Sequence, residues 1–159
     1  MSSEIKNTDR LPQGPILVAA DFSDNSMTAV IWAIDIAIAL NASVVLIHIV
    51  HDRAEGPGYY RHDKQDAMRP MEDIAGKMMQ KFLKSLSDKS PNYESFKDLE
   101  TRIVTGLPVT RILETAENID AKLIVMGSQG LTGLAHLLIG SKAEQVVRLS
   151  NIPVTIVKN

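Results

Sequence analysis

Four positions combine residue types and a spacing that suit an anion. They lie in the segment GSQGLTGLAHLLIGSKAEQVV, where Gly127 and Gly130 are followed, nine residues on, by Gly140 and Ser141. Glycines let backbone N–H groups approach phosphate oxygens with no Cβ in the way and permit the dihedrals that turn successive amides toward one charge. A helix starting at Gly140-Ser141 adds unpaired N–H groups and the positive end of its dipole, and the Ser141 hydroxyl supplies a donor or a cap. Phosphate can then be held without an arginine clamp. Read on these residues alone, the same glycines serve equally well as turns and a helix cap. The spacing is neither Gly-x-x-x-x-Gly-Lys-Ser/Thr nor a Gly-x-Gly-x-x-Gly after the first strand, which argues against two common nucleotide folds.

Asp21 is the second candidate, an acidic residue directly after an apolar run. The histidines suit catalysis or metal poorly. His48 sits inside an apolar strand and reads as packed, while His51, His62 and His136 have no partner at the short helical spacing of a zinc site. With no cysteine, thiol nucleophiles, disulfides and thiolate metal centres are excluded, which fits a reducing compartment. Tyr59, Tyr60 and Arg61 read as exposed loop residues. No general base or arginine finger is evident, so efficient phosphoryl transfer is not expected.

The elements that must position these residues follow from apolar patterning. Ile16 to Ala20 reads as a strand buried on both faces, and Ser23 or Asp24 as the cap of a helix running to about Leu40, which Asn41 breaks. Val44 to Val50 is a second strand. Residues 51 to 65 read as a long exposed loop rich in Gly, Pro and charge. Met71, Ile74, Ala75, Met78, Met79, Phe82, Leu83 and Leu86 then mark the core face of an amphipathic helix. Thr101 to Thr105 is a third strand, and Pro108 opens a third helix. Leu123 to Met126 is a fourth strand, a fourth helix follows Gly140, and Pro153 to Val157 closes as a fifth strand. Strict alternation predicts a doubly wound α/β domain with a mainly parallel sheet covered on both faces. Ligands in such sheets settle beyond the carboxyl ends of the strands, where Asp21 and the Gly127 segment both fall.

Bulk properties agree with one domain over residues 15 to 159, preceded by a polar, flexible segment 1 to 14 with no apolar signal core. The net charge of -2 gives no general attraction for nucleic acid or anionic membrane. The most apolar stretch, Ala29 to Leu40, has 12 residues and contains Asp35, against roughly 20 needed to span a bilayer. A cytoplasmic protein is expected. That same stretch offers few polar positions, so a second subunit, an overlying loop or a partner protein is expected to cover it.

On ILVAADFSDNS (16 to 26), LIHIV (46 to 50), VTGLPVTRIL (104 to 113), LIVMGSQGLTGLAHLLIGSKAEQVV (123 to 147) and the closing NIPVTIVK, the chain resembles the single-domain universal stress proteins from about Ile16 to Lys158. The Gly-2x-Gly-9x-Gly-Ser pattern is the signature of that family's ATP-binding branch. The resemblance implies a Rossmann-like five-stranded sheet in order 3-2-1-4-5, a homodimer formed through the last strand, and ATP or a related adenine nucleotide as cofactor. Magnesium would arrive on the phosphates, with at most one carboxylate ligand. By position, Asp21 would hydrogen-bond ribose or adenine, Ile49 would contact adenine, and Met126 would line the pocket. Gly127, Gly130, Gly140 and Ser141 would surround ribose and phosphates, with the backbone of Lys142 and Ala143 at the phosphate tail. Ala19 stands where many relatives carry proline, and Lys142 where a small or apolar residue is frequent; neither removes a needed donor. The resemblance implies a nucleotide-binding stress-response regulator whose ligand alters loop or dimer state and so the choice of a protein partner. A slow ATPase or phosphotransferase, and a structural dimer that binds nothing tightly, are the competing readings.

Overall fold

The computed structural model describes residues 14 to 51, 71 to 129 and 139 to 158. In chain order they form β1 (Ile16–Ala19), α1 (Asp24–Leu40), β2 (Val44–Val50), α2 (Met71–Lys89), β3 (Leu99–Thr105), α3 (Pro108–Asn118), β4 (Leu123–Gly127), α4 (Ser141–Leu149) and β5 (Val154–Val157). The strands make one five-stranded sheet in the order β3-β2-β1-β4-β5, and every pairing is parallel. Gly130, His136 and the residues from 52 to 70 lie outside the described residues.

The strands are apolar on both sides because both sides are covered. Ile16, Val18, Val44, Leu46 and Val125 face α1 and α2, while Leu17, Val45, Ile47, Ile124 and Met126 face α3 and α4. Period-2 alternation thus divides each strand between two cores. The methionine-rich stripe of α2 is core, as its spacing predicts: Ala75, Met79, Phe82 and Leu86 are buried, and Met71, Ile74, Met78 and Leu83 pack at the margin.

Local signals end the elements. Ser23 caps α1, and its Oγ accepts from the Ser26 amide at 3.1 Å. Asn41 stops that helix in the left-handed conformation, φ 52°, and the Ala42 amide returns to the Ala37 carbonyl at 2.9 Å. This satisfies carbonyls that the helix end would otherwise orphan. Pro108 takes the first turn of α3, where its missing N–H costs no bond. Gly106 just before it has φ +144° with the Arg111 side chain against it, so both backbone and space demand glycine.

Strand limits differ from the sequence expectation in informative ways. β3 begins at Leu99 rather than Thr101, because an edge strand tolerates Glu100 and Arg102, whose side chains pair with each other in solvent. β5 begins at Val154, one residue after Pro153, which has no N–H to give a ladder. β1 stops at Ala19, one residue short of the expectation: the Ala20 amide still reaches β2, but the Ala20 carbonyl is taken by a side chain. The cover expected over α1 comes in part from the turn after α2. Asn92 Nδ2 donates to Asp35 Oδ1 at 2.8 Å, and Tyr93 and Phe96 pack against the same core. Ile38 and Leu40 at the end of α1 stay exposed.

Candidate functional site at the carboxyl edge of the sheet

β1, β2 and β4 all point their carboxyl ends the same way, so the turns that follow them gather at one edge. The turn after β1 is tightly organised. The Ala20 amide donates to the Ile47 carbonyl at 3.0 Å, but the Ala20 carbonyl accepts from His48 Nδ1 at 2.8 Å. Asp21 Oδ1 accepts from the Ser23 amide at 3.1 Å, which makes Asp21 a turn-forming residue as well as a ligand candidate. A carboxylate has about four lone-pair sites and can serve several partners at once. Phe22 takes φ +66°, rare for an aromatic residue, and stacks on the His48 ring with centroids 4.0 Å apart.

His48 is packed, as expected of a histidine inside a strand. Its role as an anchor of the neighbouring turn is a tertiary relation that no local pattern announces. Burial holds its imidazole below the ordinary histidine range, opposed by the bond to Ala20 and by the negative charge of Asp21, and assisted by Lys142. Asp21 on the β1 turn and Lys142 on α4 therefore both lie within electrostatic reach of one ring.

The turn after β4 places the glycine-spaced segment. Ser128, buried, donates its amide to the Val157 carbonyl at 2.9 Å and accepts from the Gly140 amide at 2.7 Å. That second bond holds Gly140, at the start of α4, against the residue that follows Gly127. Gly140 is the N-cap of α4 at φ -67°, ψ 150°, and among the described residues no side chain caps this helix. The Glu144 amide makes the first intrahelical bond, to Gly140 O at 2.9 Å. The amides of Ser141, Lys142 and Ala143 precede it and are the donors a helix start offers to an anion. Ser141 and Lys142 are exposed, whereas Ala143 is buried against the sheet.

The remaining candidates divide between surface and core. Ile49, half-buried, and Met126, buried, share the α3/α4 face with Ala143, so the three form one apolar wall below the start of α4. Gly127 has a structural duty that its spacing does not reveal. A Cβ there would lie 2.9 Å from the carbonyl carbon and oxygen of Asn25, so β4 can approach α1 this closely only through glycine. Gly130 lies outside the described residues.

The universal stress protein family model matches residues 14 to 158. A universal stress protein of Methanocaldococcus jannaschii is 32% identical over 158 residues, covering 99% of this chain and 89% of its own. Among solved structures, a universal stress protein crystallised in complex with cAMP is 28% identical with a TM-score of 0.63, covering 92% of this chain and 97% of its own. The universal stress protein UspA of Lactobacillus plantarum shares the fold, with a TM-score of 0.70 at 23% identity over 91% of this chain and 97% of its own. The chain belongs to the universal stress protein family.

Proposed function

We propose that this member of the universal stress protein family binds an adenine nucleotide, ATP or a close relative, at the carboxyl edge between β1 and β4. The observation that carries the reading is the start of α4, which opens on a glycine, has no side-chain cap among the described residues and is tied to the β4 turn by the Gly140 to Ser128 bond. Phosphates would take the amides from Ser141 to Ala143, the Ser141 hydroxyl and Gly130, with Lys142 adding positive charge and magnesium bridging phosphates and water. The base would lie toward Ile49 and Met126, and Asp21 would accept from ribose or adenine. A family relative's complex with cAMP supports an adenine nucleotide as the ligand class.

The function that fits is regulatory: bound nucleotide changes loop or dimer state and so partner choice. Pairing of two copies is expected along β5. That edge, VTIV, carries no charge, and Val147 and Leu149 on neighbouring α4 are exposed. The opposite edge, β3, is guarded by Glu100 and Arg102. Calorimetry on nucleotide-free protein with ATP, ADP and AMP, with and without magnesium, tests the reading. Binding in the micromolar range that weakens as phosphates are removed supports it, and no heat at millimolar ATP overturns it.

A further inference from the structure

The β1–α1 turn is built around one ring. His48 Nδ1 bonds the carbonyl of Ala20, the residue before Asp21, and the face of the same ring stacks on Phe22, the residue after it. A carbonyl has no proton to give, so Nδ1 carries it, which sets the tautomer of the neutral imidazole. Asp21 Oδ1 is meanwhile tied to the Ser23 amide. Phe22 is held at φ +66°, a conformation that an aromatic residue leaves unless its surroundings compel it. The surroundings are an aromatic stack three deep. His48 lies on Phe22 at 4.0 Å and 24°, and Phe22 meets Phe82 of α2 at 5.5 Å and 57°. His48 itself is 1% exposed.

We propose that His48, acting with Phe22, is the positioning residue for Asp21: it holds both neighbours of the carboxylate and so fixes the direction in which that group meets the nucleoside half of the ligand. This rests on the reading of Asp21 as the nucleoside-facing carboxylate. It separates the site into two independently built halves. The phosphate half depends on α4 and the β4 turn, and the nucleoside half depends on a histidine that faces the opposite core from Ile49 and Met126. A packing role alone would weaken the whole fold, and with it both halves together. A positioning role predicts that they come apart.

The test titrates wild type, His48→Leu, His48→Asn and Phe22→Leu with ATP, adenosine and 2′-deoxyadenosine, and measures displacement of ATP by tripolyphosphate. His48→Leu, losing the bond and the stack, is expected to weaken adenosine about tenfold and to blunt discrimination against the 2′-deoxy form, with tripolyphosphate affinity unchanged. His48→Asn, whose Nδ2 falls where Nδ1 was, keeps the bond to Ala20 and recovers most of that loss. Phe22→Leu, keeping the bond and losing the stack, falls between. If His48→Leu does not fold, Phe22→Leu still separates adenosine from tripolyphosphate. Adenosine affinity within twofold of wild type in both His48→Leu and Phe22→Leu, or in Phe22→Leu alone where His48→Leu does not fold, or equal losses for adenosine and tripolyphosphate, overturns the proposal while leaving nucleotide binding intact. Failure of the wild type to bind ATP overturns the nucleotide reading, and this proposal with it. Unchanged adenosine affinity in Asp21→Ala overturns the assignment of Asp21 on which the proposal stands.

Discussion

Two helices begin at the same edge of the sheet and are finished in opposite ways. The start of α1 is closed by its own chain: Ser23 Oγ takes the Ser26 amide, Ser26 Oγ returns to Ser23 O at 2.9 Å, and Asp21 takes the Ser23 amide. The start of α4 has Gly140 where a capping side chain would stand. Both helices carry a positive end of similar kind. Among the described residues, only the first has a side chain at its cap position that accepts from its opening amides. A cap adds about 1 kcal/mol to a helix, so leaving one out is a small cost in stability that keeps a donor set available. In the proposed nucleotide site, a closed start would give a rigid carboxylate and an open one an anion hole.

Filling the open start is the strongest way to break this contrast. Gly140→Asp puts an acceptor and a negative charge where the phosphate is expected, on a backbone that any residue adopts. ATP affinity should fall about tenfold to a hundredfold, the range for losing charged hydrogen bonds. Stability to urea should rise by a few tenths to about 1 kcal/mol, since a cap and a favourable charge–dipole contact are gained. Opposite signs in the two measurements are the fingerprint of an uncapped ligand site. Unchanged ATP affinity would move the phosphates elsewhere.

Gly127→Ala comes next and separates the two glycines. Its Cβ would sit 2.9 Å from Asn25 backbone atoms, and overpacking of this kind costs about 1 to 3 kcal/mol. Chemical denaturation should show the loss with no nucleotide present. If the variant is as stable as wild type, Gly127 is a ligand-loop residue like Gly140 rather than a packing one. Ser23→Ala then opens the closed start. The cap should be worth about 1 kcal/mol in the same denaturation experiment, with ATP affinity changed less than twofold because the bond from the Ser23 amide to Asp21 survives. A large loss of affinity would show that the closed start also serves the ligand.

Much of this was legible without coordinates, and the exceptions have a common physical origin. The apolar runs announced all five strands, Ser23 stood among the predicted caps, and Gly127 and the Gly140-Ser141 pair fell at one edge because parallel strands end together. Relations between elements stayed hidden. The need for glycine at 127 comes from Asn25, which is 102 positions earlier in the chain, and the stop of β1 at Ala19 comes from His48 on another strand. Side-chain periodicity assigns a residue to a face but does not say which backbone atom it will meet there. The two extra residues of β3 escaped for a different reason. Leu99 and Glu100 follow a charged polar stretch and read as loop, and the edge position, itself a result of topology, lets Glu100 be strand.

Acid offers the last and, at neutral pH, the smallest perturbation of the contrast, because it acts beneath one helix start and not the other. His48 titrates below the ordinary value of 6.5, chiefly through burial. Between that value and the lower folded one, the unfolded chain binds more protons than the folded chain, so stability falls as pH drops below about 6.5 and levels off once the folded histidine has charged. Near pH 7 and above, neither state is protonated and the effect vanishes. Protonation leaves the Nδ1–H bond to Ala20 in place but puts a charge into the aromatic stack with Phe22, which loosens the closed start of α1. Urea denaturation at pH 7.5 and at pH 5.5 should therefore differ more for wild type than for His48→Asn, which cannot titrate. Equal pH dependence in the two proteins would place the acid-sensitive group elsewhere and leave the histidine a neutral anchor throughout.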